Sequence, residues 1–165
     1  MKYLLDTCVI SELVRQRPDA KVVEWLQQQD PDSLYLSFLT VGEIKKGIAK
    51  RRGDARAVKL EEWLQTTILG TFAERILPVE RDVALEWGRI CGEAESIGKR
   101  RPAIDSLIAA TALVHKMKLV TRNINDMAGM GVPTAGCATA KFFFDTPLRG
   151  RRRFDILSLC SPKIG

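Results

Sequence analysis

Lys2-Tyr3-Leu4-Leu5 is a short apolar run. It ends at Asp6-Thr7-Cys8 and continues as Val9-Ile10-Ser11-Glu12-Leu13-Val14, where apolar residues recur at a longer period. The change of period predicts a buried strand feeding directly into a helix, with an acid at the junction. The same alternation continues outward. Helical spacing of Ala20, Val22, Val23, Trp25 and Leu26 predicts a helix over 19–29, stopped by Asp30-Pro31-Asp32. Ser33-Leu34-Tyr35-Leu36-Ser37 reads as a strand. A long helical region from about 40 to 70 follows, interrupted around Gly53. Ile76-Leu77-Pro78-Val79 is a weaker strand. Residues 80–97 read as a helix with Val83, Leu85, Trp87, Ile90 and Ala94 on its apolar face. Pro102 opens another helix through Ile104, Leu107, Ile108, Ala112 and Leu113. Lys118-Leu119-Val120-Thr121 is a strand, and Gly131-Val132-Pro133-Thr134 begins a last short one.

Strands alternating with helices predict an α/β fold, a three-layer α/β/α sandwich with a mostly parallel central sheet. Ligands of such sheets bind beyond the carboxyl ends of the strands. Asp6 closes the first strand, and Asn123 and Asp126 follow the strand ending at Thr121, so all three fall on one rim.

Composition narrows the chemistry. At 165 residues, 45% hydrophobic and 28% charged, the chain has the make-up of an ordinary globular domain. It lacks the roughly 18 uninterrupted apolar residues of a membrane span. The early acid at Asp6 argues against a signal peptide, so a cytoplasmic protein is expected. Cys8, Cys91, Cys137 and Cys160 are too far apart in sequence for paired zinc ligation and read as reduced thiols. With His115 the single histidine, any metal chemistry must rest on carboxylates, which select hard ions such as magnesium or manganese. The net charge of +6 says little about the main domain, because residues 135–165 contribute +4 of it.

Taken singly, each acid has a structural explanation beside the functional one. Asp6 suits a helix cap. Thr40-Val41-Gly42-Glu43 fits a capping box, with Leu39 and Ile44 placed as its hydrophobic staple. Asp105, in the first turn of its helix, favours the macrodipole. Asp126 lies in the polar loop Arg122-Asn123-Ile124-Asn125-Asp126.

Together they carry a resemblance. Leu4–Glu12 resembles the opening of PIN domains, above all toxins of the VapC type. Ser37–Ile48, Asp105–Ala112 and Leu119–Met127 are similar to the family's second, third and fourth motifs, in order and separation, over residues 1–134. The resemblance implies a PIN-like fold and a Mg2+- or Mn2+-dependent endoribonuclease that cleaves RNA. It also implies a toxin restrained by a cognate antitoxin, which would cover the acidic groove and insert a basic side chain. A homodimer is implied as well, with higher assembly on the antitoxin. Asp6, Glu43, Asp105 and Asp126 become catalytic metal ligands, and Thr7, Thr121 and Asn123 polar supports. A haloacid-dehalogenase-like reading needs a second aspartate where Cys8 stands. A receiver-like module wants adjacent acids at the first strand, where Asp6 stands alone. A catalytically silent PIN scaffold binding RNA or a partner stays open.

Other features have plainer readings. Lys45, Lys46, Lys50, Arg51 and Arg52, and the pair Arg100-Arg101, suit either phosphate contact or a solvated face. Trp25, Trp63 and Trp87 read as core or interface, and His115 as a helix C-cap. Residues 135–165, with Phe142-Phe143-Phe144 and an arginine cluster at 149–153, depart from the family's short ending. They are expected to form an atypical basic tail, dispensable for the nuclease unit of residues 1–134.

Overall fold

Two adjacent leucines show how the interior is divided. On β1 (Tyr3–Leu5) successive side chains point to opposite sides of the sheet, so Leu4 and Leu5, both fully buried, enter different cores. Leu119 and Val120 do the same on β4 (Lys118–Thr121). The computed structural model describes residues 1–51 and 53–136. Its sheet has five parallel strands in the order β3-β2-β1-β4-β5, where β2 is Leu34–Ser37, β3 is Ile76–Leu77 and β5 is Thr134–Gly136.

One core is covered by α1 (Thr7–Glu12), α2 (Ala20–Gln27), α3 (Phe38–Ala49), α4 (Ala55–Glu62) and a π-helical stretch, Trp63–Ile68, that runs on into α5 (Leu69–Thr71). The other is covered by α6 (Arg81–Ser96), α7 (Ala103–Val114) and α8 (Ile124–Met127). The expected α/β/α sandwich is therefore what forms. The first three strands run out one way from β1, and β4 and β5 lie on its other side. That reversal between β1 and β4 is the switch point where open parallel sheets place ligands.

Three details depart from the sequence reading. Leu85 is 67% exposed, because Val83, Trp87, Ile90 and Ala94 already form the stripe and residue 85 lies across the helix from it. The third strand keeps only Ile76 and Leu77 in the sheet. Pro102 stands one residue before α7, as its N-cap. The tryptophans are structural as expected. Trp25 and Trp63 are buried, Trp25 meets Tyr3 edge-on at 5.3 Å, and the Trp87 indole donates to Ser106 Oγ at 3.0 Å. His115 occupies the C-cap of α7. Ala135 and Gly136, counted above with the tail, pair with Val120 and Thr121, while residues 137–165 lie outside the described residues.

Phe72 is a fully buried aromatic closing the first core beyond the π-helical stretch. Phe72→Ala is expected to lower stability by about 3–5 kcal/mol. The measurement is the urea midpoint at unchanged m-value. A loss below about 1 kcal/mol would mean the neighbouring side chains refill the space.

Candidate active site

Asp6 leaves β1 with extended backbone and becomes the N-cap of α1. Its amide continues the sheet, donating to Val120 O at 3.0 Å. The side chain is only 5% exposed, so its charge needs partners. Oδ1 accepts the Thr7 amide at 2.6 Å. Oδ2 accepts the Thr121 hydroxyl at 2.6 Å and the Cys8 thiol at 3.2 Å. The capping and functional readings of Asp6 are therefore compatible: one oxygen caps the helix, and the whole group sits on the rim.

Glu43 is not part of a capping box. The strand passes straight into α3, which starts a turn earlier than the box would require, and Ser37 is the cap, its hydroxyl accepting the Leu39 amide at 3.2 Å. Thr40 is buried and donates its hydroxyl to Leu5 O at 3.4 Å, which ties α3 to the end of β1. Glu43 therefore lies in the second turn, half-buried, with Oε2 accepting the Thr7 hydroxyl at 2.6 Å. Thr7 thus touches both acids, through its amide to Asp6 and through its hydroxyl to Glu43.

Asp105 is in the first turn of α7, and the next residue pins that turn. Ser106 Oγ is buried and donates to Pro102 O at 2.8 Å while receiving the Trp87 indole. Asp126 lies on α8, on the exposed side of the rim. The electrostatics join these separate segments. Burial raises the Asp105 carboxyl above its ordinary value, and repulsion from Asp6, Glu43 and Asp126 raises it further. All four sequence-predicted acids thus act on one place. Among the described residues, no three such side chains are already drawn together as a ready-made metal cage. The set is nonetheless one of hard oxygen donors, whose mutual repulsion a divalent cation would relieve.

Cys8, Glu12 and Arg122, at this rim, were given no role in the sequence reading. Cys8 is more than a bland thiol: it donates to Asp6 and accepts the Arg122 amide at 3.2 Å. Burial, then the Asp6 charge, pushes it up to about 12, so it stays an S–H donor. Glu12 is 1% exposed and ion-paired with both Arg122 and Arg15, the latter at 2.9 Å. A lone acid among Val9, Ile10, Leu13 and Val14 was the available signal for it. Asn123, proposed as a polar support, acts by its amide, which donates to Thr121 Oγ1 at 3.0 Å.

The basic residues divide. Lys45 pairs with Glu61 at 2.5 Å, and Arg52 lies outside the described residues. Arg101 lies against α8, donating to Asp126 O at 3.5 Å. Gly129, at φ +77°, leaves room for it, since a Cβ there would stand 2.8 Å from Arg101 Nη2.

Asp105→Asn is expected to stabilise the protein kept free of divalent cations at pH 7, raising Tm by on the order of a few degrees. A carboxyl whose folded-state value is raised destabilises the fold above that value, and the penalty disappears as pH falls below the unfolded value near the ordinary 3.8. The gain over wild type should accordingly shrink toward zero on acidification, and Mn2+ should restore wild type more than the variant. A mutant that melts lower at pH 7 in chelator would contradict the repulsion.

Known proteins can be set beside this geometry. The PIN domain model matches residues 3–128. Toxin FitB of Neisseria gonorrhoeae is 41% identical over 120 residues, which cover 73% of this chain and 86% of that protein. The VapC ribonuclease Y4jK of Sinorhizobium fredii is 33% identical over 129 residues, covering 78% and 92%. A solved structure of FitAB bound to an IR36 DNA fragment contains a chain 36% identical to this one, with a TM-score of 0.79 over 85% of this chain and 98% of that chain. VapBC-1 from nontypeable Haemophilus influenzae, at 23% identity, shares the fold with a TM-score of 0.65 over 83% and 98%. In sequence and in fold, this chain belongs to the PIN domain family.

Proposed function

We propose that this chain is the toxin of a type II toxin–antitoxin pair, a divalent-metal-dependent endoribonuclease held in check by a cognate antitoxin. One observation carries the reading: carboxylates from four separate segments bear on a single point at the switch of a parallel sheet, raising Asp105. A scaffold with no chemistry to perform gains nothing from that repulsion, whereas a cation site needs it. The kinship with toxin FitB and with the VapC ribonuclease supports the same activity and the same kind of partner.

Asp6, Glu43, Asp105 and Asp126 would hold Mg2+ or Mn2+. The bound cation supplies a Lewis acid that activates water and offsets the charge developing at phosphorus. The protein contributes orientation. Thr7, Thr121 and Cys8 fix the inner faces of Asp6 and Glu43, so their remaining lone pairs are aimed before cation or RNA arrives. A groove of about 300 Å³ leads from Thr7 and Glu43 along α1, α3 and α4, with Ile44, Ile48, Leu60 and Trp63 on its floor and Arg15, Arg51 and Arg56 at its edges. Such a groove suits the antitoxin's covering segment. A homodimer belongs to the reading too, since Val58, Leu85 and Ile97 are exposed apolar side chains that a second copy could cover. We take residues 137–165 as an appendage to the nuclease unit.

The test uses full-length chain freed of antitoxin, an RNA substrate, and Mg2+ or Mn2+ against chelator. Cleavage is expected with either cation and none in chelator. Glu43→Gln is the sharpest variant. Among the described residues its one side-chain hydrogen bond is accepted from Thr7, which an amide oxygen can replace, so the fold should hold while cleavage falls by about 100-fold or more. Asp6→Asn should also abolish cleavage but lower Tm as well, because both carboxylate oxygens already accept hydrogen bonds and an amide nitrogen cannot. Undiminished metal-dependent cleavage by Glu43→Gln would sink the proposal.

A further inference from the structure

The β4–α8 connection leads into the short helix that bears Asp126, and it is tied to α1 by an ion pair whose carboxylate is buried. Glu12 is 1% exposed on α1, and its Oε1 receives the Arg122 guanidinium. Arg122 is the first residue after β4, and its side chain remains 35% exposed. A carboxylate so deep must be met by donors, and Arg15 at 2.9 Å, the Asp19 amide at 3.1 Å and Arg122 supply them; of the three, Arg122 is the one that carries the β4–α8 loop with it.

The consequence reaches Asp6 by two routes. With Arg122 anchored, its own amide donates to Cys8 Sγ at 3.2 Å, and the next amide, Asn123, donates to Thr121 Oγ1 at 3.0 Å. Each acceptor has one proton, and both protons go to the same oxygen, Asp6 Oδ2. The amides thus set the direction of the two donors: a hydroxyl or thiol that accepts on one side turns its proton to the other. Three residues further on stands Asp126, on a helix of only four residues whose N-cap is Asn123. So short a helix cannot orient itself, and its start is fixed by the loop that Arg122 anchors.

We infer that Glu12 and Arg122 are positioning residues of the metal centre: their ion pair sets the β4–α8 loop, and through it Asp126 and the two donors on Asp6. The inference rests on the four-carboxylate reading above and adds to it a pair of residues that touch neither cation nor RNA.

The experiment is a double-mutant cycle on the full chain, read as Mn2+ affinity from the electron paramagnetic resonance of free aqueous Mn2+, with no RNA present. Arg122→Lys keeps a cation for Glu12 but loses the planar, multi-donor head. It should weaken Mn2+ binding by about 10-fold, while in an Asp126→Asn background the same change should cost about 3-fold or less, because the loop's target is already gone. Glu12→Gln should follow the same pattern with smaller amplitude, and wild-type melting should be largely retained in Arg122→Lys. Equal losses in both backgrounds would overturn the inference. So would a lowered Tm with Mn2+ affinity unchanged, or failure of both single variants to fold, either of which makes the pair a structural strut. In a companion cleavage assay with RNA, a raised KM at unchanged Mn2+ affinity would overturn it too, as it would place Arg122 on the substrate. Asp126→Asn alone leaving Mn2+ affinity intact would instead break the four-carboxylate reading itself, so the two failures are distinguishable.

Discussion

A buried carboxylate at the end of the first strand sets the terms for everything around it. Asp6 is almost wholly removed from water, and a charge so placed survives only if its lone pairs are filled by donors. Those donors come from the residue that starts α1, from the thiol one residue later, and from the hydroxyl at the end of β4. The last of these binds the strands together at their carboxyl ends, where the backbone ladder between β1 and β4 is finishing. The switch point of the sheet is thus closed by side chains as well as by main chain. The groups that close it also surround the acid.

The arrangement trades stability for charge density. On each side of the sheet the strands offer fully apolar residues to a core, and the helices that cover them bring small or aliphatic side chains, as α7 does with Ile108, Ala109, Ala110 and Ala112. Conflict is confined to the rim. There Asp105 is held in the first turn of a helix, where the macrodipole favours it, yet it faces three other acids that do not. Natural folds break local rules where they function and make up the loss elsewhere.

Much of this was legible in the sequence because it is written at short range. Leu4-Leu5 and Leu119-Val120 announce strands buried on both faces, and the acids that follow announce a rim. The order of the four motifs identified the family from residues alone. Short-range patterns also misled. Thr40 and Glu43 have the spacing of a capping box, but the cap is Ser37, since the strand enters the helix without a turn. Leu85 is apolar and lies on an amphipathic helix, yet it falls off the stripe and is exposed. The ion pair between Glu12 and Arg122 joins residues 110 positions apart, and no local period encodes it. Cys8 was read from the spacing of the cysteines, which says nothing of the amide and carboxylate it connects.

The four acids are not equivalent, and the difference follows from what already fills their lone pairs. Both oxygens of Asp6 are engaged, and one of Glu43's, while Asp105 meets the others chiefly through burial and repulsion. The donors to Asp6 and Glu43 hold those carboxylates in place only while they keep their own protons. Cys8, with its thiol pushed up to about 12, and the two threonines do so throughout the physiological range. Among the described residues no side-chain hydrogen bond to Asp105 offsets its burial and its repulsion by Asp6, Glu43 and Asp126. The rim therefore combines a carboxylate at the end of β1 whose oxygens are already hydrogen-bonded with one on α7 that burial and like charge raise. A proton or a divalent cation relieves the same repulsion at Asp105, so the two compete for this site. The competition arises at Asp105 because burial and like charge act there together.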